Sequence, residues 1–440
     1  MQAAFNRLVN ELNAGLEGDE VLLCSVRGED SDFVRFNQGR IRQAGSVRQQ
    51  RLSLELIDGR RHAGASATLS GEHDVDLARM RAIIADLRDR LPLLPEDPYL
   101  QYATDVQSTE HHAEARIPAP EAAVDRIRSS AGDLDLVGVY AAGGIHSGFA
   151  NSLGQRNWFD TRNFNFDWSF YVSGDKAVKS AYAGQDWDDD AFARKVDKAS
   201  GQIAALKRAP RTIQPGRYRV YLTPAAIHDV VGLLSWGGFG LKALKTGQSP
   251  LLKLAEGELT FADEVSIQEN TAQGFAPAFQ GAGYLRPSSV PLIDGGRHAG
   301  SLVSPRSAME YDVPTNGASA MEAPESVDVA AGTVPDAEVL GRLGTGIYVG
   351  NVWYLNYSDR PGCRATGMTR FATFWVENGE IVAPLEVMRF DETVFRMLGE
   401  NLVGLTDERE LVLDPGSYIQ RATSSGRFPG ALVEDFNFTL

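Results

Sequence analysis

Thr366 to Leu398 reads TGMTRFATFWVENGEIVAPLEVMRFDETVFRML, and this stretch decides the fold. Thr373 to Val376 is β-branched and aromatic, and Ile381 to Val387 is apolar again. Between them, Asn378-Gly379 supplies the two positive-φ positions of a tight reversal, so the segment is expected to form a β-hairpin with a primed turn. After it, Asp391-Glu392-Thr393 is expected to open a short amphipathic helix carrying Val394, Phe395, Met397 and Leu398.

Working outward, the 440 residues are enough for two domains, each with its own core. The composition, 43% hydrophobic and 23% charged, is that of a globular protein. A net charge of -15 argues against a general phosphate-facing field for nucleic acid. No apolar run approaches the roughly 18 residues that span a bilayer. The opening MQAAFNRLVNELNAGL has the pattern of an amphipathic helix rather than of a signal peptide, so a cytoplasmic location is expected. Cys24 and Cys363 lie far apart, share no metal spacing and read as reduced thiols.

The N-terminal part reads as alternating strands and helices. Val21 to Val26 and Asp32 to Phe36 are expected as separate strands, followed by Ile41 to Ala44 and Arg48 to Ile57. Helices are expected over Val75 to Leu91, Pro120 to Ser130 and Asp188 to Ala205, and a strand over Asp135 to Ala142. Gly144 to Val172 reads as strand, turn and a long aromatic strand. The basic, proline-punctuated KRAPRTIQPG marks a boundary. The expected organisation is an α+β protein: residues 1–206 an N-terminal α/β domain with antiparallel strands, 207–216 a linker, and 217–440 a C-terminal domain built on a curved antiparallel sheet or barrel-like core.

The hairpin with its following helix, the G-x-x-N-s-x-G-like turn at Asn151 to Gly154, and Gly346 to Tyr357 together resemble the TldD/PmbA family of bacterial zinc metalloprotease subunits. In that family one subunit type carries an HExxxH helix and a late cysteine that bind zinc. Two imidazoles little more than a helical turn apart can face one metal, and the glutamate takes the proton of its bound water. At the matching place, after a strand and a Thr223-Pro224 helix start, this chain reads AAIHDVVGLLSWGGFG. His228-Asp229 is followed one turn later by Gly232, Leu233 and Leu234, none of which binds zinc. His62, His73, His146 and His298 are scattered, and His111-His112 with Glu114 reads as a solvated loop. Gly237-Gly238-Phe239-Gly240 lacks the Lys-Ser/Thr of a phosphate loop. No catalytic or metal-ligating residue is therefore expected.

The resemblance implies the non-metal, TldE (PmbA)-like type. Such a chain would carry no cofactor itself and would pair with a TldD-like subunit that supplies zinc and base. The pair would trim or degrade flexible or precursor peptides, this chain closing the cavity and being inactive alone. The alternatives are a stand-alone homodimeric peptide-binding or scaffold protein without proteolysis, and a self-sufficient hydrolase with a site of another kind. Candidate cavity-lining residues are Arg306 and Asn316, in stretches that resemble the family's near the inter-subunit cavity, and Thr369 and Arg370. The arginines stand out because a cation among apolar strands usually meets a carboxylate.

Overall fold

The computed structural model describes residues 1–174 and 176–440. Its first layer is a seven-stranded sheet in the order β3-β2-β1-β5-β6-β4, with β7 also on β6. The strands are β1 (Val21–Asn37), β2 (Arg40–Asp58), β3 (Arg61–Thr68), β4 (Thr109–His112), β5 (Asp135–Asn151), β6 (Arg156–Ser173) and β7 (Lys176–Gly184). Helices α1 (Gln2–Asn13) and α2 (His73–Arg90) cover one face, where Phe5, Leu8 and Met80 meet Leu52, Leu54 and Leu56 of β2. The period-2 spacing of those three leucines is what commits β2 to a half-buried strand. Further along the same face, over Val34, Phe36, Tyr140 and Phe166, lie α3 (Pro120–Ala131) and α4 (Asp189–Leu206). Asp188 caps α4 by accepting the Ala191 amide.

The second sheet has eleven strands. They are β8 (Gly216–Leu222), β9 (Ile267–Glu269), β10 (Val290–Asp294), β11 (Arg297–His298), β12 (Ser326–Val329), β13 (Gly346–Asp359), β14 (Arg364–Glu377), β15 (Glu380–Pro384), β16 (Arg389–Thr393), β17 (Leu402–Leu413) and β18 (Ser425–Phe438). β18 pairs with β8 as well as with its other neighbours, so the sheet curls back on itself without becoming a regular barrel. The α+β class is as expected, with the first sheet entirely antiparallel except at β4. One apolar cluster joins the two sheets: Phe164, Phe166 and Trp168 of β6 and Phe192 of α4 share it with Tyr221, Tyr348, Phe374 and Leu432.

The diagnostic hairpin forms as read. Asn378 and Gly379 have φ of 51° and 80°, and Glu377 faces Glu380 across the turn. Three expectations are corrected. Asp391 to Thr393 is the end of strand β16, paired with β14, and helical turns begin only at Val394. Thr393 nevertheless caps those turns, its Oγ1 accepting the Arg396 amide at 3.1 Å, while Asp391 and Glu392 stay in the sheet, Glu392 buried and accepting from the Arg396 side chain.

Ile41–Ala44 and Arg48–Ile57 are one continuous strand, as are Val21–Val26 and Asp32–Phe36. The polar stretch between them does not break it, because Glu29 and Ser31 are buried under residues 414–424, which cross this face of the sheet. Gly28 lies so close to His146 that a Cβ would meet its Nε2 at 2.2 Å. Finally, Thr109–His112 is an edge strand parallel to β6 rather than a loop. His111 stacks on Phe159 with ring centroids 5.2 Å apart, and His112 bridges Asp160 and Glu110 at 2.8 and 2.7 Å.

Candidate functional site

The junction of the two sheets is built around α5 (Pro224–Leu234). Thr223 caps it, its Oγ1 accepting the Ala226 amide and donating to the Gly350 carbonyl of β13. Pro224 then occupies the first turn, where its missing N–H costs nothing. Ala226, Ile227, Val230, Val231, Leu233 and Leu234 face the core, which turns His228 and Asp229 to the opposite side. That side opens on a cleft of about 480 Å³ between α5, α4, β7, β13, β14 and β17. A second hollow of about 610 Å³ continues from it beneath residues 414–422, and the two share Asn165, Asp167, Lys179, Phe371, Leu413 and Pro415.

The walls are rich in charge. Lys179 lies 3.3 Å from Asp167, and Lys195 lies 2.8 Å from Glu410. Arg370 of β14 lies over the Trp353 ring, its guanidinium carbon 3.5 Å from the centroid. The backbone is irregular at this place. Pairing of β13 with β14 slips on both sides of Asn351–Trp353, and Tyr354 and Phe371 take φ of 53° and 58°. Bulges and left-handed residues re-aim side chains, and here they bring Trp353 and Arg370 to the cleft.

His228 Nδ1 and Asp229 Oδ1 are 3.7 Å apart. Burial pushes the Asp229 carboxyl up to about 6, against the opposing pull of the Lys179 charge and the Val352 backbone N–H, and burial lowers His228. Solvent still reaches 39% of the His228 side chain and 36% of Asp229 through the cleft, so water damps both shifts.

The sign for stability follows from an ordinary aspartate at 3.8. A carboxyl raised in the folded state is disfavoured when charged. The folded protein therefore carries a penalty above pH 6 that is relieved as pH falls through 6 toward 3.8. Asp229→Asn is expected to raise the Tm at pH 8, with the gain vanishing as pH approaches 4. A carboxyl titration followed by NMR is expected to centre above the ordinary 3.8 and no higher than about 6; a midpoint at or below 3.8 would contradict this account.

Of the four candidate cavity-lining residues, Arg370 alone lies on the cleft. Thr369 points the other way, 1% exposed, its Oγ1 accepting the Met388 amide. Arg306 is paired with Asp97 at 2.5 Å and lies over Tyr99, tying the connector after α2 to the C-terminal half. Asn316 closes a loop by bonding Ser301 and Val303 at 2.7 and 2.8 Å. The cleft lysines and Trp353 escaped sequence reading; only the i, i+3 spacing of Lys195 and Lys198 on α4 hinted that they share a face.

The residues present do not fit zinc. His228 has only Asp229 beside it, Gly232 occupies the next turn, and among the described residues no group of three or more His, Cys, Asp or Glu is placed to hold a metal ion. Cys24 and Cys363 are buried, and burial pushes both thiols up to about 12, so neither is a poised nucleophile.

Residues 215–440 match the family model described as the PmbA/TldA metallopeptidase C-terminal domain. The chain belongs to the TldD/PmbA family. Three solved structures share the fold of this family member along nearly its whole length. One, from Thermotoga maritima MSB8, is described as a modulator of a DNA gyrase, with 13% identity and a TM-score of 0.76 over 99% of this chain and 100% of that one. TldE from Thermococcus kodakarensis gives 14% and 0.76 over 99% and 100%. A protein from Bacteroides thetaiotaomicron VPI-5482, again described as a modulator of DNA gyrase, gives 14% and 0.74 over 99% and 98%. No curated protein matches the sequence. No described helix is long and apolar enough to cross a membrane.

Proposed function

We propose that this chain is the non-metal, TldE-like subunit of a heteromeric peptidase of the TldD/PmbA family. A TldD-like partner supplies zinc and the glutamate base, while this chain closes the chamber and shapes access for flexible or precursor peptides. The observation that carries the reading is α5. It has the strand, threonine cap and proline start expected of the family's zinc helix, yet in HExxxH spacing it presents His228, Asp229 and Leu233 where two histidine ligands and a glutamate base are required. The cleft beside it is nevertheless kept open and lined with polar groups. A hydrolytic role for His228 and Asp229 by themselves is poorly supported, because no nucleophile stands beside them. Buried free thiols favour a reducing compartment, in keeping with a cytoplasmic site of action.

Co-expression with a TldD-like protein carrying HExxxH is the direct test. The pair is expected to co-purify, to hold zinc only in the partner, and to cleave unfolded peptide in a chelator-sensitive way. The isolated chain is expected to bind no stoichiometric zinc and to cleave nothing. One tightly bound zinc per isolated chain, or peptidase activity without a partner, would overturn the assignment.

A further inference from the structure

Although the chain carries a net charge of -15, its central cleft gathers Lys179, Lys195, Lys198 and Arg370. Asp167 and Glu410 occupy two of these cations, and among the described residues Lys198 reaches only Asp336, at 3.9 Å. Arg370 makes no ion pair among the described residues. Its guanidinium is laid on the Trp353 ring at 3.5 Å and lies 5.0 Å from Phe371. Stacking uses the face of a guanidinium and leaves its in-plane N–H fork free, the geometry that grips a carboxylate with two parallel bonds.

Trp353 remains 46% exposed, so the stacked pair presents an apolar surface and a cationic edge together. A second unanswered polar group stands in the same wall. Asn165 is 6% exposed and its Nδ2 donates to the Leu413 carbonyl, but its buried Oδ1 has no donor. Asn165 lines both hollows, so an N–H entering the cleft would satisfy it.

We propose that this cleft is a peptide-carboxylate receptor in its own right, in which Arg370, held flat by Trp353, reads one carboxylate of an extended peptide while Asn165 accepts a peptide N–H. The proposal rests on the peptide-directed part of the functional reading above, and it gives this subunit a substrate contact that does not depend on zinc. The two hollows, about 480 and 610 Å³, are each within the range of ligand sites, and Phe371 belongs to both, offering apolar contact along the chain. The carboxylate is either a chain terminus or an acidic side chain, and the probes separate these sources.

The test uses the isolated full-length chain and titration calorimetry at fixed salt. Three N-acetylated pentapeptides serve as probes: alanines with a central phenylalanine and a free C-terminus, the same peptide amidated, and an amidated version with glutamate replacing one alanine. Binding of at least one carboxylate-bearing probe is expected, weakened at least tenfold by Arg370→Gln and less by Arg370→Lys. The free acid binding best identifies a terminus as the ligand, and the glutamate amide binding best identifies a side chain. In Arg370→Gln the difference between acid and amide is expected to disappear, and in Trp353→Phe to shrink.

Equal loss on amidation in wild type and Arg370→Gln would overturn the proposal, as would absence of binding by all three probes. Co-purification of Arg370→Gln with a TldD-like partner, measured separately, is expected to match wild type. Assembly without carboxylate binding therefore sinks only the receptor, and carboxylate binding without assembly sinks only the subunit reading.

Discussion

Replacing Arg421 with alanine is expected to lower the free energy of unfolding by about 3–5 kcal/mol, the range for removing one member of a buried charged network. Arg421 is 5% exposed, and burial pulls its guanidinium down to about 10, with the Glu29 charge opposing. Its Nη1 donates to Ser31 Oγ at 3.3 Å and to the Gly143 carbonyl at 3.5 Å, and its Nη2 to the Asn163 carbonyl at 3.1 Å and to the Asn163 amide oxygen. The Arg421 backbone N–H approaches Glu29, itself 2% exposed, and Gln49 bonds both Glu29 and the Ile419 carbonyl at 2.6 Å. Truncation therefore leaves two backbone carbonyls, a hydroxyl, the Asn163 amide oxygen and a nearby carboxylate without their cation in a buried place. Residues 414–422 also roof the larger hollow, so hydrogen exchange there is expected to rise together with the loss of stability. A change below about 1 kcal/mol in guanidinium unfolding would show that the network is wetter than described.

Trp375→Ala is expected to cost a similar 3–5 kcal/mol, here through a cavity rather than a stranded charge. The ring is 9% exposed, meets Tyr218 edge-on at 6.0 Å, and lies beneath the Arg211 guanidinium at 4.7 Å. Its Nε1 donates to Glu377 Oε1 at 2.6 Å, and Arg211 pairs with that same carboxylate. Trp375→Phe keeps most of the apolar volume and is expected to cost less than half as much. Equal effects from the two substitutions would place the importance of the residue in its N–H instead of its packing.

How much of this was legible beforehand depends on distance along the chain. The Asn378-Gly379 hairpin and the Thr223-Pro224 helix start were readable because their chemistry is local: two positive-φ positions, and one side chain returning to an amide three residues on. The continuity of β1 was not, because the residue that answers Glu29 and Ser31 is Arg421, 392 and 390 positions away. The helix start at Asp391 to Thr393 was legible only in part: Thr393 accepts the Arg396 amide as a cap does, while pairing with β14 keeps Asp391 and Glu392 in the strand.

For the cleft, Arg370 stood out as a cation within an apolar strand, and strand alternation already implied that Thr369 and Arg370 face opposite ways. Asp229 and the lysines could not be grouped in advance, since β7, α4 and α5 meet only in the folded molecule. Arg306 and Asn316, chosen by resemblance, turn out to anchor a connector and a loop.

The way α5 is held has a wider implication. Its six core-facing residues are all apolar and at least nine-tenths buried, and its cap is a threonine hydroxyl, so nothing in its anchoring depends on a coordination bond. Proteins whose folding energy comes from a metal cannot discard the ligands and remain folded. Here the scaffold and the chemistry are separable layers: the outward positions of this helix are free to change while the inward ones keep it in place. Such a helix lets the side facing the cleft be given a new use without rebuilding the protein around it.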